Sequence, residues 1–300
     1  LHAESEAKLT NRHIKDELVR ISERLGRDFA QFLYEDSIKK HPKTGEPLLY
    51  FRASPGTLHP ENWIRIPRYG TEGDIADSAA GFALFFLTIT GMPFAGHHID
   101  WADFVWICFE DRVGAIIEAF RGSGKSIFMR ILMAYLIGLS PELSSLIIRS
   151  AATPAQKTAE GIAKIIANHH GWHLWFPSVV PKSKPGQAGG EWSAQTGYSV
   201  RDKSIESDIW NVMEAARTSP TLTKFGLGSK SVLGSRVTLA MLADDLHDEE
   251  NSASPEQIKN MIARFQEIVE NSRTPASRLA IIGTPWGRHD LLQQLPTTSE

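Results

Sequence analysis

From Val113 onward, short apolar runs alternate with helical stretches. Ala115-Ile-Ile-Glu-Ala119, Leu146-Ile-Ile-Arg149, Val237-Thr-Leu-Ala-Met-Leu-Ala243 and Leu279-Ala-Ile-Ile282 each lead into a segment bearing Gly, Ser, Thr, Asp or Pro. A strand covered on both faces is apolar throughout instead of alternating. Runs of this kind, spaced by helices such as Ile127 to Ala134, therefore predict an α/β fold with a mostly parallel central sheet flanked by helices. Ligands of such sheets bind beyond the carboxyl ends of the strands, and the polar residues cluster there. Upstream, Gly81 to Thr90 is apolar enough for a core helix. Ile14, Leu18, Ile21, Leu25, Phe29 and Phe32 form a stripe at helical spacing that predicts an amphipathic helix packed on the body, or a subunit-contact arm. Turns fall at His41 to Pro47 and Ser54 to Gly56, which sets a helical N-terminal region over 1–60 apart from an α/β domain over 61–294.

Composition narrows the partners. The 300 residues carry 32 Lys+Arg against 35 Asp+Glu, a formal charge of -3, which excludes a strongly basic DNA-coating domain. With 42% hydrophobic and 22% charged residues the chain is ordinary globular material. A lone cysteine, Cys108, excludes an internal disulfide framework and fits a reducing compartment. The longest apolar stretch is half the roughly 20 residues a membrane-spanning helix needs, and no secretory leader opens the chain. Its first residue, Leu1, points to processing or a trimmed start.

Chemistry enters at Ala119-Phe-Arg-Gly-Ser-Gly-Lys-Ser126, between the first apolar run and a helix. Gly122, Ser123 and Gly124 let the backbone curl so that successive N–H groups point at phosphate oxygens, and the next helix adds its positive end. Lys125 is placed to reach the β- and γ-phosphates of ATP, and the Ser126 hydroxyl to complete a Mg²⁺ shell. Ala119 stands where the usual pattern has its first glycine.

The apolar run ending at Ala243 delivers Asp244 and Asp245. A carboxylate at a strand end beside a phosphate loop is how nucleotide hydrolases hold Mg²⁺, which suits Asp244. A second carboxylate must orient and deprotonate the attacking water; Asp245 is nearest, with Glu249 and Glu250 in reserve. Arg236 closes a glycine-rich approach to this strand. Thr284, at the tip of the last apolar run, is placed to sense the γ-phosphate.

In their order and spacing, the loop with Arg121, Ile148-Arg-Ser-Ala-Ala-Thr-Pro-Ala-Gln156, Gly234-Ser-Arg236, Leu242-Ala-Asp-Asp245 and Ile282-Gly-Thr-Pro285 resemble large terminase subunits. These are the ATP-driven motors that pack double-stranded DNA into tailed-phage heads, and the likeness is strongest to the DNA maturase type of short-tailed phages. It covers roughly Pro93 to Asp290. The resemblance implies a P-loop NTPase fold of the terminase/RecA-like kind. Lys125 and Ser126 would then be the phosphate and metal residues, Arg121 the arginine within the loop, and Asp244 the metal carboxylate. Asp245 stands where many members have a catalytic Glu, Gly283-Thr-Pro285 matches the coupling motif, and Arg236 falls near an arginine that some members insert into a neighbour's site. Implied partners are duplex DNA, a portal protein and procapsid, a small terminase subunit and further copies in a homo-oligomeric ring, a pentamer on the portal, in the host cytoplasm. Family members carry a second, nuclease domain. This chain stops too soon after Thr284 to hold one, so it reads as the ATPase half with 295–300 opening a linker.

Three further features stay open. His97, His98, Asp100, Trp101 and Trp106 occupy the stretch where related motors wrap the adenine, yet are ordinary core residues too. His169, His170 and His173, interleaved with Trp172, Trp175 and Phe176, favour a structural role over a metal site. Lys182, Lys184, Arg201, Lys203, Lys224 and Lys230 either line a DNA-facing surface or are scattered solubilising charge. Competing functions are a helicase-like remodelling ATPase and a nucleotide-switched assembly or docking protein.

Overall fold

The computed structural model describes residues 77–184, 190–205, 219–228, 235–247, 254–285 and 291–295, together with Ile209. The striped helix predicted over Ile14 to Phe32, the turns near 41–47 and 54–56, the 60/61 boundary, Lys230 and Glu249 lie outside those residues. The chain divides into two compact units after Trp106.

In the first unit the predicted core helix is α1 (Ala79–Thr90), buried without a break from Ala79 to Leu87. The Ser78 hydroxyl accepts from the Gly81 N–H at 3.0 Å, and Gly91, at φ 69°, turns the chain out of the helix. The following helix, α2 (Gly96–Glu110), runs through the division between the units. Its early rings are engaged close by: Phe82 stacks on Trp106, Phe94 meets His98 edge-on, and Trp106 Nε1 donates to Asp77 Oδ1 at 3.1 Å. His98 and Trp106 are thus buried within their own unit.

The second unit runs β1 (Gly114–Glu118), α3 (Lys125–Leu139), β2 (Ser145–Arg149), α4 (Ala152–Asn168), α5 (His170–Trp175), β3 (Val179–Pro181), β4 (Trp192–Ser193), β5 (Gly197–Tyr198), β6 (Val200–Asp202), β7 (Leu222–Gly226), β8 (Ala240–Asp244), α6 (Pro255–Ser272), β9 (Arg278–Gly283) and α7 (Leu291–Gln294). The seven-stranded sheet has the order β1-β9-β8-β2-β7-β5-β4. Its first five strands are parallel, and β5 and β4 extend it antiparallel. β3 and β6 form a separate antiparallel ribbon. The predicted α/β class with a mostly parallel sheet is therefore observed.

Register explains the unbroken apolar runs. Leu146 and Ile148, Met241 and Ala243, Leu279 and Ile281 pack on one face against Met261, Phe265 and Ile268 of α6. The alternate residues face the other layer, where α3 lies on β8 and β9 and α4 on β2 and β7. Both faces are dry, so alternation would have placed polar groups where no water reaches. Among the described residues no helix is long and apolar enough to cross a membrane. Burial, then the charge of Asp111, push the Cys108 thiol up, which leaves it a poor nucleophile.

Two strand predictions need correction. The run from Val237 enters the ladder only at Ala240. Before that, the Thr238 and Leu239 N–H groups both donate to the Ser144 carbonyl, and Val237 makes an isolated bridge to Arg273. β7 was not anticipated, because Lys224 in its centre disguises a strand whose Leu222, Phe225 and Gly226 are buried.

At the end of β7 the backbone of α4 comes so close that only glycine fits. A Cβ at Gly226 would lie 2.2 Å from Ala152 N and 2.3 Å from Ala151 C. Gly226→Ala is expected to destabilise by roughly 1–3 kcal/mol and to lower Tm by about 3–10 °C for a unit of this size. An unchanged melting curve would mean that these backbones do not meet.

Candidate functional site

The loop from Ala119 to Gly124 owes its shape to two glycines. Gly122 and Gly124 have φ 84° and 83°, a region that side chains with a Cβ avoid. The Ala119 N–H donates to the Gly283 carbonyl at 2.8 Å, which ties the loop's start to the end of β9. Gly124 is the N-cap of α3 and supplies no side-chain acceptor. The first N–H groups of a 15-residue helix thus open on the loop without a side-chain cap, the arrangement that receives anions.

Around this loop the carboxyl ends of β2, β8 and β9 converge. Arg121, Lys125, Arg149, Ser150, Asp245, His247 and Thr284 line one pocket of about 340 Å³, within the range of small-ligand sites. Four predicted site residues are brought together in its lining: Arg121, Lys125, Asp245 and Thr284. Ser126 and Asp244 are the chain neighbours of Lys125 and Asp245, and the Ser126 hydroxyl acts on the Asp244 carboxylate.

Asp244 is 1% exposed. Burial pushes its carboxyl above the ordinary value; Arg149 opposes this, Asp245 adds to it, and the Ser126 hydroxyl and Lys125 pull it back down. Arg149 Nη1 lies 2.8 Å from Asp244 Oδ2. Among the described residues no hydrogen bond of full geometry reaches either carboxylate oxygen or the buried Thr284 Oγ1. Buried oxygens of this kind suit a hard cation. Asp245 holds φ 46°, which places a non-glycine residue in the left-handed region. Its N–H donates to the Ile282 carbonyl at 3.0 Å, and its Oδ2 lies 3.4 Å from Lys125 Nζ and 3.4 Å from Arg149 Nη2.

Arg149 and His247 were missed as site residues. Arg149 carried the same signal that singled out Asp244, a charge ending an apolar run, but the pairing depends on β2 lying beside β8. His247, 6% exposed, accepts the Leu291 N–H on Nε2 at 2.7 Å, so its ring ties α7 to the pocket wall.

Arg236 does not join this group. It is exposed at the amino end of β8, where its N–H donates to Ser219 Oγ at 3.1 Å, while the pocket lies at the carboxyl end of the same strand. Of the basic residues considered for DNA, Lys182 pairs with Glu191 at 2.6 Å. Lys224 donates to the Ala194 carbonyl, and burial lowers its pKa. Lys184, Arg201 and Lys203 are exposed. His169 Nδ1 accepts the Gly171 N–H at 3.1 Å and so caps α5, a structural role. Among the described residues no group of three or more His, Cys, Asp or Glu is arranged to hold a metal.

These features define an α/β protein with a mostly parallel seven-stranded sheet and a cation-lined pocket at the carboxyl ends of its strands. No protein-family model matches the chain, and no curated protein matches it either.

Proposed function

We propose that the chain is a Mg²⁺-dependent ATPase of the P-loop kind, the motor portion of a large terminase that drives double-stranded DNA into a viral procapsid. The observation that carries the nucleotide reading is the glycine loop, left-handed at Gly122 and Gly124, opening an uncapped helix beside three cationic side chains and two carboxylates. Such a site offers donors to a polyphosphate and acceptors to its counter-ion. The motor reading rests on the five motifs and their resemblance to terminases. Under it the partners are duplex DNA, portal protein, procapsid, small terminase subunit and further copies of the chain.

Lys125 and the loop amides bind the β- and γ-phosphates, and Arg121 faces the same pocket. Ser126 and Asp244 would hold Mg²⁺, which when bound neutralises phosphate charge and polarises the phosphorus for attack. Asp245 accepts the proton of the attacking water, and its left-handed backbone keeps the carboxylate on the pocket wall. Thr284 reports the γ-phosphate through a buried hydroxyl that has no hydrogen-bond partner among the described residues. Arg236, remote from its own site, serves a neighbouring subunit.

Steady-state ATP hydrolysis with and without Mg²⁺ tests the reading; no turnover above a metal-free blank would sink it. If Arg236 acts in trans, specific activity rises with protein concentration, and mixing Arg236→Ala with Asp245→Asn subunits partly restores turnover. Flat concentration dependence without rescue would remove Arg236 from catalysis. Motor action further requires duplex-DNA affinity that falls with salt, by about -0.9 in log–log slope per phosphate contact.

A further inference from the structure

We infer that Arg149 is an internal counter-ion that holds Asp244 and Asp245 while the site lacks Mg²⁺, and that it gives them up when the divalent cation arrives. This deepens the nucleotide reading and rests on its assignment of Asp244 to the metal. One guanidinium spans both carboxylates, at 2.8 Å from Asp244 Oδ2 and 3.4 Å from Asp245 Oδ2. The Asp244 side chain is 2% exposed, and a carboxylate so placed stays charged only beside a cation.

The contact has the marks of a removable charge partner and not of a permanent structural bridge. The hold of Arg149 on Asp244 is an ion pair without full hydrogen-bond geometry, its Nη2 donates to Asp245 Oδ2 at a long 3.4 Å, and among the described residues the buried Arg149 Nε has no acceptor. A second anchor, from Nη1 to Thr158 Oγ1 at 3.2 Å, leaves the arginine on α4 when the carboxylates are taken. From there the same side chain lines the pocket with Arg121 and Lys125, where a phosphate would take the place of the carboxylates as its acceptor. A divalent ion and the guanidinium cannot share the two carboxylates without like-charge repulsion in a buried site. Arg149 therefore sets a threshold: metal alone binds poorly, and metal arriving with a polyphosphate, which gives the arginine a new partner, binds well.

The test uses Mn²⁺ without nucleotide, followed by the loss of its free-ion paramagnetic resonance signal and by thermal melting. A charge within a few ångströms changes the affinity of a carboxylate for a cation by on the order of tenfold or more. Arg149→Gln should bind Mn²⁺ at least about tenfold more tightly than the wild type, and Mn²⁺ alone should raise its Tm while barely moving that of the wild type. Asp244→Asn in the same background should abolish that response. Arg149→Lys, whose ammonium reaches one carboxylate at a time, should fall between. Arg149→Gln within about twofold of the wild type overturns the proposal; if that variant yields no folded protein even with Mn²⁺, Arg149→Lys within about twofold of the wild type does so. Because no nucleotide is used, an intact competition beside absent ATP turnover would fault the nucleotide reading alone. Turnover with no competition would fault only the role of Arg149.

Discussion

Lys125→Ala is expected to lower ATP turnover by about 10²–10³-fold, the loss typical when one preorganised donor is removed from a developing anion. Lys125 is 9% exposed, the first residue of α3, with its ammonium 3.4 Å from Asp245. Its removal leaves the loop amides without their point charge and Asp245 with Arg149 as its remaining cationic partner. Alanine is a good helix former at the start of α3, so the fold should persist. Titration with a fluorescent ATP analogue should show weakened binding alongside the lost turnover. If the wild type turns over no faster than Lys125→Ala, the motor reading fails and a nucleotide-switched assembly protein becomes the better account.

Asp245→Asn should separate binding from hydrolysis. The amide has the shape of the carboxylate and tolerates the left-handed φ of 46° as well as any side chain does, so the backbone at the tip of β8 is kept. What is lost is the acceptor for the water's proton, a loss of about 10²–10⁴-fold in rate, while analogue binding should change by no more than a few-fold. Single-turnover hydrolysis beside equilibrium binding makes the distinction. Wild-type turnover in this variant would transfer the role of base to another carboxylate, with Glu249 the next to test.

The second variant depends on a feature that no local pattern foretold. The pairing of Asp244 with Asp245 was legible as an apolar run ending in acids, but the reversal of φ at Asp245 was not. It arises because the Asp245 N–H is drawn to the Ile282 carbonyl on β9 and the Asp245 carbonyl accepts from the Ser150 N–H after β2. Strand β7 was hidden for the opposite reason. A central lysine usually marks a solvated segment, yet here Lys224 is half-buried and donates to a backbone carbonyl from the neighbouring hairpin.

Read alone, the sequence determined the elements whose causes are local. Glycines at 122 and 124 set the curl of the loop, dry apolar runs set β1, β2, β8 and β9, and the apolar stretch from Gly81 to Thr90 set α1. It also placed Lys125, Ser126, Asp244, Asp245 and Thr284 at strand and helix ends, because a charge or hydroxyl that closes an apolar run has nowhere else to go. Tertiary structure alone decided the strand order, and with it that Arg149, 96 residues before Asp245, stands among the site carboxylates and that Arg236 does not. The physical reason is that an apolar run buried on both faces fits beside almost any other such run. Which neighbour it takes, and so which distant charges meet, is settled by the packing of α3, α4 and α6 over the whole sheet.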